Sequence, residues 1–156
     1  MHIRLIAVGT RMPAWVESGI AEYRKRLPSE IQFEIREIAL AQRGKNADIA
    51  RALQQESATM LAAIPARDVV IALDVIGKSI STEQFAHELA QWQLRGDNIS
   101  VLVGGPDGLA ENCLQRAQQR WSLSALTLPH PLVRVLFAEQ LYRAWSINNN
   151  HPYHRA

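Results

Sequence analysis

Across 156 residues the chain holds a single cysteine, Cys113. One thiol cannot build an internal disulfide framework, so the fold must stand on its core, and the expected setting is a reducing, cytoplasmic one. Long apolar runs are missing too. No segment approaches the ~20 apolar residues of a membrane span, and the opening "MHIRLIAVGTRMP" is too short in apolar residues for a secretory signal. Charge of one sign is also scarce: 17 Lys+Arg stand against 15 Asp+Glu, for a net charge of +2 and a pI near 9.0. That balance permits a local basic face without marking the whole chain as a nucleic-acid binder. Hydrophobic residues at 47% supply one core, so a single domain over residues 1–156 is expected.

The familiar catalytic signatures are absent as well. "ALDVIGKS" (Ala72–Ser79) comes close to a phosphate-binding P-loop. Ala72 replaces its first glycine, however, and Asp74 would set a carboxylate among the phosphates. No G-x-G-x-x-G opens a helix, which removes the dinucleotide fingerprint. "HELAQ" at His87 lacks the second histidine of a zinc protease, and no C-x-x-C pair or G-x-S-x-G elbow occurs. A resident metal is therefore not expected.

What the chain does have is alternation. Short apolar runs predict strands at His2–Gly9, Ile31–Ile38, Asp68–Asp74, Asn98–Gly105 and Arg120–Leu128. Helical patterns fill the gaps: Met12–Arg26 entered through Pro13, Lys45–Ala63 with Asn46 as cap, and Leu109–Gln119. "STEQ" at Ser81 adds a capping box opening a further helix. Asp68–Asp74 and Asn98–Gly105 are almost continuously apolar, as in strands covered on both faces. Ile31–Ile38 alternates, as an edge strand does. The expectation is an α/β fold with a parallel sheet flanked by helices. The last helix, Leu132–Asn149, is apolar around most of its circumference, which calls for more than one neighbour and suggests a second copy of the chain.

Three segments remain at predicted strand ends: "LDVIGK" from Leu73, "VGGPDG" with Gly104 and Gly105, and "LSALTL", comprising Leu123, Ser124, Ala125, Leu126, Thr127 and Leu128. In a parallel sheet the carboxyl ends of the strands border the ligand crevice. Glycines and small residues there offer main-chain hydrogen bonds between apolar walls, which suits a flat heteroaromatic such as adenine. The tail "NNNHPYHRA" is unusually rich in chemistry. From His130 onward three arginines and three histidines face one acid, Glu139. Tyr153 and His154 are fit to stack on a base, and Arg155 and Arg143 to hold phosphate; the alternative is a chain end whose Tyr153 folds back on the core. "QRGKN" (Gln42–Asn46) brings Arg43 and Lys45 together as a second basic element, either an RNA contact or a solvated turn.

These residues, taken jointly as "GTRMPAW", "RGKNADI", "LD…GK", "VGGPDG", "SLSALTLPHPLVRVL", "EQLYRAWSI" and "NHPYH", resemble the bacterial ribosomal RNA large subunit methyltransferase H family, of the SPOUT class. The resemblance covers essentially the whole chain. It implies a C-terminal trefoil knot, an exception to the rule that chains do not thread their own loops. It also implies a homodimer and methyl transfer from S-adenosyl-L-methionine to the imide nitrogen of a pseudouridine in 23S ribosomal RNA. The family's cofactor positions match Leu73, Gly104 and Leu123–Leu128. Two rival readings stand beside it: a non-enzymatic ribosome-associated RNA-binding module, and a SPOUT enzyme acting on transfer RNA. In the tail, Tyr153, His154 and Arg155 are the expected catalytic contacts to the target base.

Overall fold

A computed structural model describes residues 1–44 and 48–155, Arg155 by its backbone. Five strands, β1 (His2–Val8), β2 (Gln32–Ile38), β3 (Val69–Ser79), β4 (Ile99–Val103) and β5 (Gln119–Ser122), form one sheet in the order β2-β1-β4-β3-β5. Every pairing is parallel. Five helices connect or follow them: α1 (Ala14–Arg24), α2 (Ile49–Ala62), α3 (Thr82–Arg95), α4 (Glu111–Arg116) and α5 (His130–Asn148), and a 3-10 turn, Pro152–Arg155, ends the described chain.

The helices divide between the two faces of the sheet. Val16 and Ile20 of α1, Phe85, Leu89 and Trp92 of α3, and Phe137, Leu141 and Ala144 of α5 share one core with Ile3, Leu5, Val101 and Trp121. Its centre is aromatic, with Trp92 and Trp121 stacked at 5.7 Å and Phe85 meeting Trp121 edge-on at 5.3 Å. The other face is smaller: Met60 of α2 and Cys113 of α4 pack on Ile6, Val8, Val70 and Leu102. β4, central and covered on both sides, is buried at every residue.

Local signals account for most boundaries. Ser81 accepts from the Gln84 N–H while the Gln84 side chain accepts from the Ser81 N–H, the expected capping box, and Gly96 closes α3 in the left-handed conformation. β2 lies at the sheet edge, as its alternation predicts. The cap expected at Asn46, like Lys45, lies outside the described residues; α2 begins at Ile49, and Asp48 caps it by accepting from the Arg51 N–H.

Two strands differ from expectation, and α4 covers only Glu111–Arg116 of the expected Leu109–Gln119, with Gln119 opening β5. β5 ends at Ser122, and Leu123–Leu128 is loop: Ser122 Oγ donates to the Ser124 carbonyl and Ser124 Oγ accepts from the Leu126 N–H, which turns the chain out of the sheet. β3 runs five residues past Asp74, because its pairing with β5 shifts register between Leu73 and Lys78. Gly77 permits that crossing: a Cβ there would stand 2.8 Å from both the backbone carbon and the oxygen of Arg120.

α5 is buried by α1 on one side and α3 on the other. It carries Arg134, whose side chain is only 1% exposed. Its guanidinium donates to Glu37 Oε2 and to the Gly9 carbonyl, both at 2.8 Å, tying the helix to the ends of β1 and β2. Glu37→Ala is expected to cost about 3–5 kcal/mol in a denaturation experiment, because it strands a buried guanidinium without a counter-charge. A loss below about 1 kcal/mol would show that water reaches Arg134.

Candidate cofactor site

The three segments singled out in the sequence converge. Beside the middle of β3 and at the carboxyl ends of β4 and β5, a cavity of about 690 Å³ is lined by Leu73, Gly104, Gly105, Leu123, Ser124, Leu126, Thr127 and Leu128. Its size lies within the range of small-molecule pockets. Ala125 belongs to the same loop but is not among the residues that line it. The sheet order explains the place: β3 connects through α3 back to β4, and β4 connects through α4 across β3 to β5, so the two connections leave in opposite directions beside the crevice.

Each wall follows from local chemistry. The Gly104–Gly108 loop is pinched shut by a bridge between Gly105 and Gly108, and a Cβ on Gly104 would lie 2.4 Å from the Gly108 backbone carbon. In Leu123–Leu128 the two serine turns consume the Leu126 N–H and the Ser124 carbonyl. Among the described residues, no hydrogen bond reaches the N–H groups of Ala125, Thr127 or Leu128. Val75, Ile76 and Leu126 stand 71%, 82% and 73% exposed, apolar side chains that a ligand or a second protein surface would cover. A backbone-lined slot with aliphatic walls suits a flat heteroaromatic ligand. Among the described residues no group of three potential metal-ligating side chains occurs.

Sequence reasoning missed several lining residues, among them Asp74, Trp121, His130 and Val133. His130, the first residue of α5, stands at the cavity with its Nδ1 buried and unpartnered. Burial and the nearby Arg134 charge push its pKa down, so its imidazole is neutral at pH 7. The sole sequence signal was its position between two prolines.

The tail lies elsewhere. Tyr153 does fold back: its ring packs on Tyr142 at 4.6 Å and beneath the Arg143 guanidinium at 4.9 Å. Its hydroxyl donates to Glu139 Oε1 at 2.9 Å, and Arg143 Nη2 bonds the same oxygen at 2.6 Å. His154 has a buried Nδ1 without a partner. Tyr142 stands twelve residues beyond His130, so Tyr153 sits about 18 Å along α5 from its own cavity. Burial, and then the bond to Glu139, raise the Tyr153 pKa far above that of an ordinary phenol, so at pH 7 the group is a donor and not a base. The folded state therefore holds this proton more tightly than the unfolded chain. Unfolding free energy should begin to fall as pH rises past about 10, and Tyr153→Phe should flatten that fall in alkaline denaturation curves.

Arg43 and Lys45 do not form a described basic pair. Lys45 lies outside the described residues, and Arg43 is engaged by Glu56 and Asp107.

The chain is a methyltransferase by family: the description "Predicted SPOUT methyltransferase" matches residues 1–154. The chain belongs to the SPOUT methyltransferase family. Ribosomal RNA large subunit methyltransferase H of Marinomonas sp. (strain MWYL1) is 57% identical over 155 residues, which is 99% of this chain and 100% of that protein. Among solved structures, a "probable methylase family protein" from Haemophilus influenzae Rd KW20 superposes with a TM-score of 0.57 at 13% identity, over 97% of this chain and 69% of that one. A "Probable Methyltransferase" from Bordetella pertussis Tohama I gives 0.56 at 17% identity, over 91% and 95%. At such identities the likeness concerns the fold alone.

Proposed function

We propose that this chain transfers a methyl group from S-adenosyl-L-methionine to the N3 imide nitrogen of a pseudouridine in the subunit-interface hairpin of 23S ribosomal RNA. The supporting observation is the cavity itself: the segments that resemble the family's donor-binding positions, distant in sequence, meet in one backbone-lined slot. The full-length similarity to a protein named as a ribosomal RNA large subunit methyltransferase supports the substrate class.

The sulfonium makes the methyl electrophilic when the donor is bound. The chain's own residues have to orient it and the nucleotide; near-attack positioning supplies about 7–11 kcal/mol in favourable cases. Leu73, Gly104, Gly105 and the Leu123–Leu128 loop, with Ala125 as part of its backbone, would hold the adenosyl moiety. The imide proton must leave before or during transfer. Tyr153, on releasing Glu139, would turn its single O–H toward a carbonyl beside the imide nitrogen and stabilise negative charge there, with His154, Arg155 and Arg143 contacting base and phosphate.

The active unit in this reading is a cytoplasmic homodimer of single-domain subunits with the family's trefoil knot, and each donor cavity receives the tail of its partner. About 18 Å of helix between tail and cavity within one chain favours that arrangement, as do Leu132, exposed, and Leu136, half-buried, on α5.

The deciding experiment supplies methyl-labelled S-adenosyl-L-methionine with joined ribosomes, free large subunits or transfer RNA, all lacking the modification. Label at one pseudouridine of 23S RNA is expected. Label in transfer RNA would overturn the substrate, and absence of donor binding would leave only an RNA-binding module.

A further inference from the structure

Arg43 stands between two parts of the fold that are remote in sequence. Its Nη1 and Nη2 donate to Glu56 Oε2 and Oε1 at 2.6 and 3.2 Å, a forked pairing with a carboxylate on α2. Nη1 also reaches the Ala41 carbonyl at 2.9 Å, and the Ala41 N–H donates to Glu56 Oε2 at 3.0 Å. The remaining nitrogen, Nε, bonds Asp107 Oδ2 at 2.7 Å. Glu56 is 3% exposed, so the orientation of the guanidinium is set from below. Asp107 belongs to the pinched Gly104–Gly108 loop and lines the cavity.

A guanidinium whose every nitrogen is bonded within its own chain presents no free nitrogen to a phosphate. Arg43 spends all three of its nitrogens on groups of this chain, and its side chain is only 17% exposed. We propose that Arg43 is a positioning residue for the methyl donor: Glu56 orients its guanidinium, the guanidinium holds Asp107, and Asp107 holds the Gly104–Gly108 loop against the cavity. It replaces the expected role of Arg43 as an RNA contact, and it rests on the reading of this cavity as the donor site. Lysine could not substitute, since a compact ammonium cannot fork onto Glu56 and still reach Asp107.

Two variants separate the roles. Arg43→Lys keeps the charge and loses the fork; Asp107→Asn weakens the upper bond and leaves Arg43 paired with Glu56. Each is titrated with S-adenosyl-L-methionine, then with the RNA hairpin in the absence of donor, and is assayed for turnover and melting temperature. Both variants should bind the donor about tenfold more weakly, the usual consequence of losing a charge-assisted hydrogen bond. KM for the donor should rise with kcat changing less, RNA affinity should stay within about twofold, and Asp107→Asn should melt with the wild type. Weakened RNA binding with unchanged donor affinity would make Arg43 an RNA contact and overturn the proposal. So would a melting temperature that falls in Asp107→Asn in step with donor affinity, since Arg43 would then only hold the fold. Unchanged donor affinity in both variants sinks the brace alone, whereas a wild-type chain that binds no donor sinks the cavity reading with it.

Discussion

Gly104→Ala is expected to abolish measurable binding of S-adenosyl-L-methionine while the chain still folds. The new Cβ would lie 2.4 Å from the carbon and 2.6 Å from the oxygen of Gly108, both backbone atoms that cannot rotate away. The loop must open, and with it goes the Gly105–Gly108 bridge that shapes one wall of the cavity. Overpacking of this kind costs about 1–3 kcal/mol of stability. A wall displaced by an ångström loses its close contacts to a ligand, and a loss of about 2.8 kcal/mol is about 100-fold in affinity. Calorimetry should find donor affinity reduced by at least that factor, and a thermal melt should lose the rise in Tm that the donor gives the wild type. Gly44→Ala, where a Cβ would meet nothing within 4 Å, is the matched control and should bind normally. Normal binding by Gly104→Ala would move the donor site elsewhere.

Removal of His151–Ala156 should act on the other half of the reaction. Donor affinity should stay, because none of the expected donor contacts lies in the tail. Turnover should fall about 100- to 1000-fold, the usual loss when donors aimed at developing charge are removed. Mixing this truncated subunit with Gly104→Ala subunits tests the geometry. Each homodimer would be inactive, but a mixed dimer unites one intact cavity with one intact tail and should recover activity. Mixed dimers that form without recovery would place tail and cavity in the same chain, and Tyr153 would then have to leave Glu139 and travel the length of three helical turns.

The alternation of apolar runs and helical patterns made the parallel sheet legible, because buried strands and amphipathic helices leave different periodicities. The cavity was legible for a simpler reason: Gly104–Gly105 and Leu123–Leu128 are small or aliphatic where strands end. Arg134 was not legible, since an arginine in an apolar helix looks like a surface residue until the ends of β1 and β2 are brought against it. The Arg43 brace was hidden likewise, its partners lying 13 and 64 residues away. β3 was read too short because Gly77 and Asp74 resemble loop residues. The backbone crossing that requires Gly77 is a tertiary fact.

The strand order carries a consequence for synthesis. β1 pairs with β4 across nearly a hundred residues, Ile3 against Ile99. While the chain is emerging, β1 and β2 can pair, but the inner edge of β1 stays open until residue 103 has been made. That edge is Ile3, Leu5, Ile6 and Ala7, all fully buried at the end. An unpaired apolar edge invites pairing with other chains. For most of its own translation, then, a nascent chain of this protein carries an open strand edge that only β4 can close.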